Sequence, residues 1–354
     1  MATIRDVSAA AGVSPTTVSR VMNDLDSEHV AVETRARVLE AAERLGYRPS
    51  AAARALVGGR TRTIALLSSP VVYTTWFAIV VEETQKILDG HGYHLLLVPG
   101  GHEGELRELL RERRVDAAIW ARYPVERATD LADAIVAPHQ RIAAVGSIHA
   151  SPSPGCCVAW WDDAAGTRQA VDHLAALGHD RIAYLPGPST ALALWPNMLA
   201  AFECSCDAHA VRHMVVHADA EQPSFAAGVQ MALRALEATP RPTALFARND
   251  DFALGVLSGL AQAGVAVPGE ISVIGYNDAP VAAYTHPPLT TVHAPIAEAT
   301  RALVEDLVQA LDDDTDDGTP PVSQHFLTRL VVRDSTGPPP VQQRRRSSCA
   351  EVSR

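Results

Sequence analysis

Between Thr63 and about Arg333, short runs rich in apolar and β-branched residues alternate with stretches of helical spacing. The runs are Thr63–Leu67, Tyr93–Val98, Asp116–Trp120, Ile142–Val145, Cys157–Trp161, Arg181–Leu185, Val211–His217, Ala244–Ala247 and Ile271–Gly275. Between most of them lie segments such as Phe77–His91 and Gly166–Leu177, whose apolar residues recur at helical intervals. Nearly all-apolar strands separated by helices predict parallel sheets covered on both faces. Nine strands exceed what one sheet needs, so the expectation is an α/β body of two doubly wound lobes. Its ligand site belongs at the carboxyl ends of the strands, in the cleft between the lobes.

Composition narrows the class. The chain has 354 residues, 47% of them apolar and 20% charged, enough for large cores. Its net charge of −11 is uneven: residues 1–62 sum to +2 and the remainder to −13. Mild basicity at one end of an acidic body suits a small nucleic-acid module. No run approaches the ~18 apolar residues of a membrane helix. The opening MATIRDVSAA holds an acid and no apolar stretch of the signal-peptide kind, so the expected setting is cytoplasmic, with no membrane partner. Five cysteines, an odd number in a long chain, make no disulfide framework.

The first 48 residues carry no strand pattern. Ile4, Val7, Ser8 and Ala11 share one helical stripe, and Gly12 ends that helix. Ser14 is placed to cap a second helix with Pro15 in its first position, where a missing N–H costs nothing. Val18 and Val21 face back onto the first helix, while Thr16, Thr17, Ser19 and Arg20 face outward. Helix, glycine turn and helix at this spacing is a helix-turn-helix, with an ordinary two-helix corner as its rival. Hydroxyls meet base edges or phosphates, and an arginine fork reads guanine O6 and N7. A third helix is expected over about Val32–Leu45, closing a small core through Val38, Leu39 and Ala42; its cap position, Ala31, is a poor one.

The segment TIRDVSAAAGVSPTTVSRVMN resembles the opening of the LacI/GalR family of bacterial transcription regulators. So do ETRARVLEAAERLGYRPSAAARALVGGRTRTIALL, LAALGHDRIAYLPGP, ALFARNDDFALGVLSGLAQAGVAVPGEISVIGYNDAP and PPLTTV, in family order over residues 3–334. The resemblance implies a helix-turn-helix headpiece at 1–48, a hinge helix and linker at 49–61, and a two-lobed, periplasmic-binding-protein-like domain at 62–335. That domain would bind effector, form the homodimer and cross between lobes near 161, 290 and 322. The Pro-rich and Arg-rich segment 336–354 is expected to be a disordered tail.

On the same basis, Thr16, Thr17 and Arg20 would touch bases of a pseudo-palindromic DNA operator, with Ser14, Ser19 and Asn23 nearer phosphates. Pro49 to Val57 would be the hinge, too short to be stable alone and so able to fold on DNA. Within it Arg54 would help with phosphates, and Leu56 would be a wedge between base steps. The effector contacts implied are Tyr73, Thr75, Trp76, Asp162, Met198, Phe225, Asn249 and Asn277, though loop capping competes at each polar one. Met198 stands where the family pattern has an arginine, Asn277 where it has an aspartate, and the aromatic lid is Phe225 or Pro223. These departures favour an effector less polar or differently charged than a common sugar, or none. Asp250 reads as structural.

Other signals carry little. Cys204, Cys206, His209, His213 and His217 have metal-like spacing but leave a helix, cross a loop and enter a strand, so they share no face. The run Asp312–Asp317 lacks the alternation of a calcium loop, with Gln324 where a bidentate glutamate is required. No phosphate loop, nucleophile elbow or H-E-x-x-H occurs, so neither an enzyme nor a cofactor is expected. The expected function is a sequence-specific DNA-binding regulator, a repressor of metabolic genes modulated by a sugar-like or nucleoside-like effector. The alternatives are a regulator without effector response and a pure solute-binding protein.

Overall fold

The computed structural model describes residues 2–22, 30–48, 60–68, 75–121, 130–131, 133–137, 139–147, 156–188, 196–219, 225–313 and 323–340. The N-terminal unit consists of α1 (Ile4–Ala11), α2 (Pro15–Met22) and α3 (Val32–Leu45). Thr3 and Asp6 form a reciprocal capping box at the start of α1, and Gly12 ends it at φ 67°. Val7, Val18 and Val38 are fully buried, packed with Ala11, Val21, Ala41 and Ala42. Leu39 departs from the expected core: it is 45% exposed, and Ala41 takes the inward place. Each helical residue turns about 100°, so 38, 41 and 42 share a stripe that 39 leaves. Ala31 makes no side-chain cap, as its residue type foretold.

The first lobe contains β1 (Thr63–Leu67), α4 (Thr75–His91), β2 (His94–Val98), α5 (Glu103–Arg111), β3 (Ala117–Trp120), β4 (Arg141–Ser147) and β5 (Cys157–Trp161). The second contains α6 (Asp163–Ala176), β6 (Arg181–Pro188), α7 (Pro196–Ala208), β7 (Arg212–Ala218), α8 (Phe225–Glu237), β8 (Ala244–Ala247), α9 (Asp250–Gln262), β9 (Ser272–Asn277) and β10 (Thr290–His293). The chain then returns through α10 (Ile296–Asp312) and β11 (Gln324–Phe326) to the first lobe, and ends at β12 (Arg329–Val331) in the second. It therefore passes between lobes three times among the described residues: after Trp161, after His293 and after Phe326.

Each sheet has six described strands, in the orders β2-β1-β3-β4-β5-β11 and β7-β6-β8-β9-β10-β12. All pairings are parallel except β10 with β12. Along β1, Ile64 and Leu66 enter one core and Ala65 and Leu67 another, because helices cover both faces. That is why the strand reads as unbroken apolar sequence. The short strands β10, β11 and β12 were not foreseen; three or four residues give too little periodicity to stand out. The strand order reverses between β1 and β3, and again between β6 and β8, which opens a crevice at each pair of strand ends.

The chain remains ordered past the expected tail boundary. Gly337 donates its N–H to Ser272 Oγ at 3.0 Å, and its carbonyl lies 2.9 Å from His179 Nε2. Composition shows that such a segment cannot build a core of its own, but it does not forbid its backbone from docking on one.

Candidate nucleic-acid interface and interlobe cleft

The second helix is held as a rigid rod. The Ser14 hydroxyl accepts the Thr17 N–H at 3.1 Å and contacts the Thr17 hydroxyl at 2.8 Å. Ser8 is buried and donates its hydroxyl to the Val13 carbonyl, which fixes the turn between α1 and α2. Val18 and Val21 bury one side of α2, while Thr16 and Arg20, one turn apart, stand exposed on another with half-buried Thr17 beside them. Ser14 is exposed and Ser19 half-buried. Three hydroxyl or guanidinium groups on one helix face, backed by a packed core, can enter a major groove without further rearrangement. Asn23, Arg54 and Leu56 lie outside the described residues, as does the hinge expected at 49–57.

Downstream of that hinge, the chain is pinned to the first lobe. Buried Asp116 accepts the Thr61 N–H at 2.8 Å, the Thr61 hydroxyl at 3.0 Å and the Arg62 N–H at 2.7 Å. Arg60 donates to the Leu311 carbonyl at the end of α10. Residues 60–62 are thus fixed to the first lobe and to the end of α10.

The cleft lies where the strand ends of the two lobes meet. Thr75, at the start of α4, donates its hydroxyl to Asp251 Oδ1 at 2.6 Å and its N–H to Oδ2 at 3.3 Å. Asp251 is the second residue of α9, so this pair joins the lobes across the opening. Half-buried Trp76 follows on α4. A second tie sits at the first crossover. There Asp163 accepts Trp161 Nε1 from β5 at 3.0 Å and the Tyr276 hydroxyl from β9 at 2.9 Å. Burial pushes the Asp163 carboxyl above the usual carboxylate range, against the pull of its hydrogen bonds.

Several expected effector contacts also have local roles. Asp162 caps α6, accepting the Ala164 N–H at 2.8 Å, and pairs with Arg168 at 3.3 Å. Asn249 caps α9 through the Phe252 N–H at 2.8 Å and is almost buried. Asn277 ends β9 at φ 104°, next to Asp278, whose carboxyl is held low by the His293 and Arg333 hydrogen bonds despite partial burial. Met198 is sealed in the core near Phe202, and Phe225 stands half out in solvent at the first residue of α8. Tyr73 lies outside the described residues. Asp250 is structural: it accepts the Thr291 hydroxyl and the Ala279 N–H, both at 2.6 Å. A Cβ at Gly275 would come within 2.2 Å of its Oδ1, so that glycine makes room for the carboxyl.

Four side chains at the cleft were absent from the expected set. Asp163 follows the expected contact Asp162, and Asp251 follows Asp250, which reads as structural, so the signal in each case was a doubled acid. Arg248 follows the apolar run Ala244–Ala247 at the carboxyl end of β8, and Tyr184 interrupts the aliphatic run in the middle of β6.

The comparisons with known proteins follow this geometry. Residues 3–50 match bacterial regulatory proteins of the lacI family, and residues 171–336 match the periplasmic binding protein-like domain. The chain is 32% identical over 343 residues to the HTH-type transcriptional regulator AscG of Escherichia coli strain K12, covering 95% of this chain and 98% of that protein. It is also 32% identical to the HTH-type transcriptional repressor PurR of Aliivibrio fischeri strain ES114, covering 88% and 93% respectively. Among solved structures, the lac repressor dimer bound to operator and the anti-inducer ONPF superposes with TM-score 0.78 at 26% identity, over 95% of this chain and 99% of that one. The complex of the transcriptional regulator CelR with cellobiose gives TM-score 0.64 at 27% identity, over 95% and 100%. The relatives are transcriptional regulators, and among the described residues no helix is long and apolar enough to cross a membrane.

Proposed function

The chain belongs to the lacI family of bacterial regulatory proteins, a DNA-binding transcription repressor with an effector-binding domain, and we propose how its residues divide that work. Residues 1–48 read DNA, 49–61 form the hinge and linker, and 62–335 bind effector and pair the two copies of a homodimer. Thr16, Thr17 and Arg20 meet base edges of a pseudo-palindromic operator, while Ser14, Ser19, Asn23 and Arg54 serve the phosphates and Leu56 wedges a base step. A small organic effector sits between the lobes, bounded by Tyr73, Thr75, Trp76, Asp162, Phe225, Asn249 and Asn277. The lac repressor and CelR neighbours are complexes with an anti-inducer and with cellobiose, which supports a sugar-like or nucleoside-like molecule there. The protein acts in the cytoplasm, by binding rather than by catalysis.

The observation that carries this reading is the two-sided character of α2. Its valines are buried and its Thr16 and Arg20 exposed, on a unit whose core is complete without help from the lobes. Regulation then needs only that effector bind one arrangement of the lobes better than another. The Thr75–Asp251 bonds join the two lobes in one arrangement and would be lost in another, and Asp116 hands the difference to the hinge.

The test is Arg20→Ala. On the operator found by gel shift upstream of the protein's own or neighbouring genes, affinity should fall by roughly 1–3 kcal/mol, with relaxed preference at one base pair per half-site. Random duplex should lose much less. Equal loss on both would leave Arg20 a phosphate contact and remove the base-reading role.

A further inference from the structure

Helix α4 runs from the interlobe cleft to the segment that enters the hinge, and each of its ends is held from outside the helix. At the cleft its first residue, Thr75, gives its hydroxyl to Asp251 Oδ1 at 2.6 Å and its N–H to Oδ2 at 3.3 Å. A carboxylate of the second lobe therefore sits on the positive end of the helix dipole. At the far end, the carbonyl of the last residue, His91, accepts a bond from Arg62 Nη1 at 3.1 Å. A guanidinium beside the linker therefore sits on the negative end, steadied by the Tyr93 ring, whose centroid lies 5.2 Å away. The 17 residues of the helix span roughly 25 Å between these two contacts.

Arg62 is gripped from two sides. Its N–H bonds Asp116 Oδ2 at 2.7 Å and its carbonyl accepts the His94 N–H at 2.8 Å, so its backbone belongs to the sheet. Its side chain belongs to α4. Between the two grips the backbone lies at φ 49°, in the left-handed region that residues with a Cβ avoid. Such a conformation persists only while its surroundings enforce it, and it relaxes when one grip moves. Helix α4 is also able to move. Its buried face is Phe77, Val80, Thr84 and Leu88, and the Thr84 hydroxyl has no hydrogen-bond partner among the described residues. With no polar bond from that face to fix its register, the helix is suited to small sliding steps of the shear kind.

We propose that α4 is the lever that carries the state of the cleft to the hinge, with Asp251 as its input contact, Arg62 as its output contact and the strained Arg62 backbone as the joint. This rests on the reading of the cleft as the effector site and of residues 49–61 as hinge and linker. Parting the lobes breaks the Thr75–Asp251 bonds and frees the cleft end of α4. The helix slides, the His91 carbonyl shifts with it, and Arg62 and the linker follow. Asp251 and Arg62 are positioning residues in this scheme: neither has to touch DNA.

The experiment uses the full chain without effector, so its result does not depend on what occupies the cleft. Hydrogen exchange is compared between the parent and Asp251→Ala. The amides of Thr61 and Arg62 should exchange about tenfold faster or more in the variant, although the change lies a whole helix away. Faster exchange confined to the first turns of α4 and α9 would mark a local tie and overturn the lever. The second measurement is a double-mutant cycle on operator affinity. Asp251→Ala alone should shift that affinity about fivefold or more, and less than about twofold when Arg62→Gly, which relieves the strain and removes the guanidinium, is already present. Arg62→Lys, which keeps a cation for the His91 carbonyl, should restore most of the shift. Effects that simply multiply, or an operator affinity that Asp251→Ala leaves unchanged, overturn the proposal. If Arg20→Ala binds operator as the parent does, the reading of α2 fails instead, and the exchange result alone decides the lever.

Discussion

Alanine at Gly255 should cost the second lobe about 3 kcal/mol or more, seen as a lower urea midpoint with an unchanged slope. Helices α8 and α9 cross glycine on glycine. A Cβ at Gly255 would lie 2.0 Å from the Phe225 carbonyl oxygen and 2.9 Å from the Gly228 Cα. The reciprocal Cβ at Gly228 would lie 2.2 Å from the Phe252 carbonyl oxygen. These neighbours are backbone, so no side chain can swing aside and the helices must separate. Separation would shift Phe225 and the Asn249–Asp251 cap together, so effector response should fail along with stability. Gly104, on α5, is the control: nothing lies within 4 Å of its added Cβ, and Gly104→Ala should be neutral or stabilising by about 0.5–1 kcal/mol. Equal behaviour of the two variants would show that the crossing tolerates a wider gap.

Asp250→Asn should stabilise the protein at pH 8 by about 2–4 kcal/mol and hardly at all at pH 4. Burial, together with the neighbouring charges of Asp278 and Asp251, raises the Asp250 pKa to about 7, against a usual 3.8. Between those values the unfolded chain has released the proton that the folded chain still holds. The parent therefore loses stability as pH rises through that window, and levels off above it. Asparagine has no proton to release, and its amide can replace the protonated carboxyl, giving a hydrogen bond to Thr291 and accepting the one from Ala279. Melting curves of both proteins at pH 5, 6, 7 and 8 check this. A difference that stays flat with pH would show that the carboxyl is already ionised throughout.

The N-terminal unit was legible almost residue by residue. Gly12, the Ser14 cap, Pro15 and the valine stripe are signals made within one or two turns, and they hold wherever the rest of the chain goes. Leu39 was misplaced because an apolar residue beside a stripe looks like part of it until the helix is turned against its neighbours. The nine foreseen strands were found, most within a residue or two at their starts, because burial on both faces writes itself as apolar sequence. The Thr3–Asp6 capping box was equally readable and was passed over.

The cleft was less legible, since its parts are distant in the chain. Thr75 and Asp251 are 176 positions apart, and Arg248 bonds a carbonyl 62 positions away. Types such as Asn249 and Asp162 announced a helix cap and a strand end equally well, and both readings describe the same atoms. Local periodicity and capping chemistry set which elements form, because their energies are settled between near neighbours. Strand order, which side chains face each other across the lobes, and which buried groups are left with a bond to spare depend on how distant segments stack. Those pairings exist only once the chain has closed on itself.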